Sequence, residues 1–218
     1  MAGPKLEADA EDMRQVGVTV FLAVLLGVLA QPALARGGSV SFAGGSAREQ
    51  ATVRAALDAS SFDWGLIPQT VVVHVGDYGD SYSTYGNVYL DATLLDSGRF
   101  AWGVVQHELG HQIDFFLLDD AKRATLQRAL GGKDWCYEVA GVGHAEHGCE
   151  RFASELAWAY WPSPDNSLRP SSPADEAGAM APAAFRTLLA GLLGRPGVAA
   201  EPSTTKAYAP KARKSKRR

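Results

Sequence analysis

Two histidines four residues apart, inside a helical apolar pattern, constrain the fold more than any other feature of the chain. Across residues 99–118, apolar side chains recur at helical spacing, at Val105, Leu109, Ile113 and Phe116. On such a helix His107 and His111 lie on one face, where both imidazoles can bind the same metal ion. The fold must therefore bring a further ligand to this face from another element.

Glu108 follows the first of these histidines and completes a His-Glu-x-x-His motif. In that position its carboxylate can face a water molecule on the metal and accept its proton. Zinc is the natural occupant of a site built from two imidazoles, a carboxylate and a water, and it lowers the pKa of that water to about 7. The motif therefore predicts one zinc ion per chain and Glu108 as catalytic base.

The third ligand is predicted in a later helical segment, CERFASELAWAYW, because no histidine stands six residues after His111. This segment offers Glu150 and Glu155, and five residues at about 100° each place them on different faces of a helix. Glu150 lies beside Ala153 and Ala157, whose small side chains permit close packing against the first helix. Glu150 is the favoured ligand, and Glu155 is the alternative.

The sequence HELGHQID followed by ERFASELA resembles the gluzincin branch of zinc metallopeptidases, and within it the catalytic domain of lethal-factor-type toxins. The resemblance covers roughly residues 70–161. It implies His107, His111 and Glu150 as metal ligands and Glu108 as the base. It also implies an α+β fold: a minimal zincin-like domain with a small sheet, an active-site helix and a second helix carrying the third ligand. The NExxSD motif of thermolysin is missing, so substrate-binding details do not carry over.

Local patterns predict the other elements. Helices are expected over 46–60, where Ser46 is a suitable N-cap, over 120–130 and over 182–193. Strands are expected over 70–75 and 88–90, with a loop over 76–87. The strand at 88–90 is either an edge for pairing with an extended peptide or one more core strand. His74 is expected to be a structural strand residue.

Several polar residues are candidates for supporting roles in the reaction. Asp114 lies one turn beyond His111, where it either orients a ligand imidazole or is an ordinary helix acid. The transition-state oxyanion needs a hydrogen-bond donor besides the metal. The candidates are His144, His147, Tyr137 and Tyr160.

The two cysteines of the chain, Cys136 and Cys149, are predicted to form a disulfide. Cys149 immediately precedes Glu150, so the bridge would fix the start of the ligand helix. Thiolate ligands are a rival interpretation, but they would fill the open metal position that a hydrolase requires. Two free buried thiols are the third alternative.

Residues 1–35 are predicted to be a signal peptide, with translation starting at Met13. An uncharged apolar run over 16–30 is shorter than the roughly 20 residues of a spanning helix. Ala33-Leu34-Ala35 supplies a small-x-small cleavage pattern. An uncleaved anchor or a buried helix is the alternative. In either case the mature protein is expected outside the cytoplasm, secreted or located in the cell envelope.

The remaining chain divides by composition into a flexible leader over 36–45, a domain over 46–193 and a basic disordered tail over 194–218. From 36 to 205 there are 12 basic and 20 acidic residues, which argues against nucleic acid as a partner. From 206 to 218 there are seven basic residues and no acidic ones, so this part of the tail can contact an anionic envelope.

These features together predict a secreted zinc metalloendopeptidase that acts on a peptide or protein substrate. A non-catalytic binding protein on the same scaffold is the first alternative, and the intact Glu108 speaks against it. A zinc amidase acting on a cell-wall component is the second.

Overall fold

A four-stranded sheet forms one layer of the fold in the computed structural model, which describes residues 39–194. Its strands are β1 (Val40–Gly44), β2 (Val71–Gly76), β3 (Tyr82–Thr84) and β4 (Asn87–Asp91). They lie in the order β1-β2-β4-β3; β1, β2 and β4 are parallel, and β3 is antiparallel to β4 at one edge. Alternate residues along β2 are buried, so one face of the sheet packs on the helices.

Six α-helices form the other layer of the described part of the chain. They are α1 (Ala47–Ala59), α2 (Ala92–Leu95), α3 (Ala101–Leu117), α4 (Asp120–Leu130), α5 (Gly148–Tyr160) and α6 (Pro182–Leu192). Ser46 caps α1 and accepts a hydrogen bond from the Glu49 amide, as the sequence predicted. The combination of helices with a small mixed sheet agrees with the predicted α+β class.

Two local predictions about the sheet were wrong. The expected flexible leader over 36–45 contains β1, because Val40 and Phe42 pack on the core and the strand pairs with β2. The segment at 88–90 is not an edge, because β4 lies between β2 and β3. The edge is β3, which lies within the predicted loop and is joined to β4 by a two-residue turn at Tyr85-Gly86.

Helix α3 runs through the centre of the described residues, and every residue from 105 to 114 is buried. Buried polar side chains tie it to its neighbours. The Gln106 side chain donates to the Ala56 carbonyl of α1. The Gln112 side chain donates to the Thr84 and Asn87 carbonyls and accepts a hydrogen bond from the backbone N–H of Gly86, between those two residues. These bonds hold the edge strand beside the helix that carries the His-Glu-x-x-His motif.

The crossing of α3 and α5 depends on small residues. A Cβ atom added to Gly110 would lie 3.1 Å from the Cα and 3.3 Å from the Cβ of Ala153. The two helix backbones therefore approach closely at this point. The approach brings the first turn of α5 next to His107 and His111.

A disulfide joins Cys136 to Cys149 at the start of α5, as predicted. Such a bond is typical of an extracytoplasmic environment. Within residues 39–194, no helix is long and apolar enough to cross a membrane. The predicted signal peptide (1–35), the start at Met13 and the tail beyond Gly194 lie outside the described residues.

Candidate metal and active site

An open cleft of about 330 Å³ lies over the middle of α3. The cleft is lined by the β3 strand, the loop before it and the Cys136-Tyr137 segment. The polar residues at its base are His107, Glu108, His111 and Glu150. The cleft therefore contains the whole constellation that the sequence predicted for a metal site and its base.

Three side-chain atoms face one another at nearly equal distances. His107 Nε2 lies 3.1 Å from His111 Nε2 and 3.2 Å from Glu150 Oε2. His111 Nε2 lies 3.3 Å from the same Glu150 oxygen. All three residues are buried, and together they can hold a metal ion. Glu155, the alternative ligand, is on another face of α5 and is absent from the cleft lining.

The ligand group follows from local structure. The two imidazoles are one helical turn apart on α3, and Glu150 lies in the first turn of α5. The start of α5 is fixed by backbone bonds from the Gly148 amide to the Asp134 carbonyl and from the Cys149 amide to the Trp135 carbonyl. Because Cys149 is in a disulfide, it offers no thiolate, and the interpretation of the cysteines as ligands does not apply.

The site carries an excess of negative charge. Burial alone would raise the pKa of Glu150, but the hydrogen bonds with His107 and His111 lower it well below its ordinary range. Burial lowers the pKa of His107, yet the Glu150 and Glu108 carboxylates outweigh that effect and raise it. The raised pKa of His107 indicates that the two carboxylates favour a positive charge beside them, and a bound cation would also supply one.

Glu108 is buried at the base of the cleft and is held from the edge strand. The Ser83 hydroxyl lies 2.9 Å from Glu108 Oε2 and 2.8 Å from the Glu108 carbonyl oxygen. Ser83 is on β3, so the strand that borders the cleft also orients the predicted base. The Glu108 side chain lines the cleft together with His107, His111 and Glu150.

Two of the predicted oxyanion donors line the cleft. His144 is largely exposed, and its Nε2 lies 3.4 Å from Glu150 Oε2. Tyr137 has a positive φ of 59°, and burial together with the Glu150 carboxylate raises the pKa of its hydroxyl. The phenol therefore keeps its proton at neutral pH and can donate it in a hydrogen bond.

Three other candidate residues have partners outside the metal-ligand group. His147 is buried and does not line the cleft, and its Nδ1 lies 2.5 Å from Asp134 Oδ1. Asp114 does not orient a ligand imidazole, because its oxygens accept hydrogen bonds from Arg123 Nε at 2.7 Å and Trp135 Nε1 at 3.1 Å.

Tyr160 is at the far end of α5, where its ring packs edge-on against Phe62 at 4.9 Å. The expectation for His74 was confirmed: it stacks on Tyr89 across the outer face of the sheet and hydrogen-bonds to Asn87.

Sequence reasoning missed three residues that contact the site: Ser83, Ser154 and Glu176. The Ser154 hydroxyl is 2.9 Å from His107 Nδ1, and Glu176 hydrogen-bonds to both Ser154 and His144. Ser154 lies four residues after Glu150, so helical spacing alone could have identified it. No local pattern marks Ser83 or Glu176, which reach the site through the tertiary fold.

Comparison of the chain with protein-family models, curated proteins and solved structures finds no match.

Proposed function

We propose that this protein is a secreted zinc-dependent metallopeptidase. The observation that carries the proposal is a buried three-atom ligand group with Glu108 directly beside it in an open cleft. A purely structural metal site would be closed by a fourth protein ligand, whereas a hydrolytic site keeps one position open. Among the described residues the ligand group has three members.

The donor set and its dimensions fit zinc. Bonds of about 2.0–2.1 Å in a tetrahedral site place the ligand atoms about 3.3–3.4 Å apart. The corresponding distances among His107, His111 and Glu150 are 3.1, 3.2 and 3.3 Å. Calcium and magnesium prefer a full set of oxygen ligands, which two imidazoles do not provide.

The arrangement of elements supports a gluzincin-type fold of minimal size. The active-site helix α3, the ligand helix α5 and a small sheet with an antiparallel edge strand are the parts that the sequence resemblance implies. The third ligand comes from a glutamate on the second helix, at Glu150.

The chemistry of peptide hydrolysis assigns a task to each group. Bound zinc would polarise the peptide carbonyl and make the attacking water more acidic. Glu108 accepts the proton of that water and later delivers it to the departing amine. Ser83 holds one carboxylate oxygen of Glu108, which leaves the other free for this transfer. The Tyr137 hydroxyl and His144 line the cleft and are the proposed donors to the developing oxyanion.

The substrate we propose is an extended peptide. The edge strand β3 borders the cleft and has one side without a strand partner in the described sheet. A peptide can pair with such an edge through its backbone, which places a carbonyl group over the base of the cleft. We therefore propose β3, rather than the strand at 88–90, as the edge that pairs with the peptide.

The test compares the protein with its Glu108→Gln variant. The amide keeps the shape of the side chain but cannot accept a proton, so we expect bound zinc to remain at about one ion per chain. Cleavage of an unfolded protein substrate should fall by at least ~100-fold. Zinc content is measured by elemental mass spectrometry and cleavage by peptide mapping.

Asp58→Asn, an exposed acid-to-amide change on α1, is the matched control and should retain full cleavage. Near-normal turnover by Glu108→Gln would rule out the mechanism. Zinc binding without cleavage of any peptide by the parent protein would favour the binding-protein or amidase alternatives.

A further inference from the structure

A chain of three hydrogen bonds connects His107, one of the proposed metal ligands, to His144, which also lines the cleft. His107 Nδ1 lies 2.9 Å from Ser154 Oγ, and Ser154 Oγ lies 2.7 Å from Glu176 Oε2. The other Glu176 oxygen, Oε1, lies 2.9 Å from His144 Nδ1. The Glu176 carboxylate is therefore linked to His107 through Ser154 and forms a direct hydrogen bond with His144.

The direction of each proton in this chain is fixed by counting donors and acceptors. The hydrogen bond with His144 lowers the pKa of Glu176 in spite of its partial burial, so the carboxylate is ionised and accepts both bonds. Ser154 has a single hydroxyl proton and donates it to Glu176. Its oxygen must then accept the proton of His107 Nδ1–H.

This order of donors has a consequence at the metal site. With the proton on Nδ1, a neutral His107 carries its lone pair on Nε2, the atom that faces His111 and Glu150. A metal ligand needs that tautomer. On the other side, His144 donates Nδ1–H to Glu176, which turns its Nε2 toward the cleft and Glu150.

The segment that carries Glu176 is held rigidly against α5. The Arg151 guanidinium donates to the Pro173 and Asp175 carbonyls. The Asp175 carboxylate accepts hydrogen bonds from the backbone amides of Ser171 and Ser172. Glu176 therefore approaches the site from a fixed turn rather than from a free loop.

We propose that Glu176 is a positioning residue. Its carboxylate sets the metal-binding tautomer of His107 through Ser154, and the same carboxylate holds His144 in place. The effect on turnover rests on the proposed function, whereas the effect on metal binding does not.

The test uses the full chain with Ser154→Ala, Glu176→Gln and the double variant, and Asp58→Asn is again the surface control. Zinc affinity is measured by competition with a chelator. Each single change should weaken zinc binding by about 10–100-fold, the usual effect of losing a group that orients a ligand. The double variant should bind zinc no more weakly than the weaker-binding single variant does, because both changes break the same hydrogen-bonded connection.

Two further measurements separate positioning from a general structural role. Nitrogen-15 NMR of the metal-free protein, at a pH high enough for His107 to be neutral, should show its proton on Nδ1 in the parent and a mixture of tautomers in Ser154→Ala. At saturating zinc, Glu176→Gln should lower kcat more than Ser154→Ala does, because only Glu176→Gln also releases His144.

Unchanged zinc affinity in both single variants, additive losses in the double variant, or a neutral parent His107 with its proton on Nε2 would each overturn the proposal. If Glu176→Gln does not fold, the Ser154→Ala affinity and the NMR result decide it. Zinc affinities and tautomers that follow the prediction in a protein that cleaves nothing would uphold the positioning role and reject the proposed function.

Discussion

Two glutamates of α5 show how far the surroundings of a residue decide its chemistry. Glu150 points at two imidazoles, and these hydrogen bonds lower its pKa. Glu155 is fully buried, and within residues 39–194 neither of its oxygens has a hydrogen-bond partner of good geometry. Burial raises the pKa of Glu155 to about 7, and the amides of Met180 and Ala179 offset only part of this effect.

The raised pKa of Glu155 makes the stability of the protein depend on pH. The folded state holds a proton on this group up to about pH 7, whereas the unfolded chain releases it near the ordinary value of 4.5. The free energy of unfolding should therefore fall as pH rises from about 4.5 to about 7. Glu155→Gln mimics the neutral form and should stabilise the protein by about 1–3 kcal/mol at pH 8, with almost no difference at pH 4.5.

Urea unfolding of both proteins at the two pH values measures this difference. Zinc content is the second measurement: Glu155→Gln should retain the metal, and Glu150→Gln should lose most of it. A stabilisation that is the same at both pH values would show that Glu155 is already neutral, or already solvated, throughout this range.

At the residue scale, the sequence predicted the groups that share one helix better than those that meet across the fold. The spacing of His107 and His111 follows from helix geometry, and the alternatives for the third ligand were two residues of one segment. Asp114 has the right spacing but a different partner, because Arg123 and Trp135 reach it from later in the chain.

Among the elements, the contact between α3 and α5 sets the geometry of the ligand group. Gly110→Ala would place a methyl group 3.1 Å from the Ala153 Cα, where backbone must move to make room. The higher helix propensity of alanine favours the change by about 1 kcal/mol, but overpacking typically costs about 1–3 kcal/mol. We expect a net loss of stability in thermal unfolding, together with weaker zinc binding.

Gly131→Ala is not a matched control, because Gly131 has a positive φ. Gly191→Ala on α6 is suitable, since a Cβ there meets no atom within 4 Å and the change should be neutral or stabilising. A Gly110→Ala variant that gains stability by the same amount as Gly191→Ala would show that the two helices are not tightly packed at this point.

The disulfide at the start of α5 should contribute both to stability and to the geometry of the ligand helix. Closing a loop near 15 residues stabilises a protein by about 3 kcal/mol in the chain-entropy model. Replacing Cys136 and Cys149 with serine should cost about that much and should also weaken zinc binding, because Cys149 adjoins Glu150. Chemical denaturation and chelator competition measure the two effects.

Thiol titration of the unreduced, denatured parent protein is the check on the bond itself. No reactive thiol before reduction and two after it are expected. Two thiols before reduction would contradict both the bridge and its proposed effect on the ligand helix.

The elements that local patterns missed are those whose pairing is non-local. Glycines precede and follow β1 in the sequence. Its partner strand is distant, because Val40 of β1 pairs with Val71 of β2, 31 positions later. β3 consists of Tyr82, Ser83 and Thr84 in a segment rich in Gly, Asp and Ser, and pairing with β4 and contact with α3 make it a strand. The helices were predicted better, because their apolar spacing and caps are local signals.

For the whole molecule, the position of β1 limits how far from the N-terminus a predicted signal-peptide cleavage could fall. Cleavage after Ala35 would leave Arg36 as the first residue, four positions before β1 begins at Val40. The strand supplies the parallel partner of β2, and Ser39 accepts a hydrogen bond from the Val71 amide. A cut beyond Val40 would expose the edge of β2 and the core side of its buried valines.

We therefore predict that exported protein begins at Arg36 or within a few residues of it, and no later than Ser39. Mass spectrometry of the intact exported chain measures this directly. As a companion experiment, a variant lacking residues 36–44 should unfold at a lower denaturant concentration than one lacking only 36–38, because β1 is lost in the first and kept in the second. An exported chain that retains residues 16–30 would instead show a membrane anchor, and equal stability of the two deletions would mean that β1 contributes little to the fold.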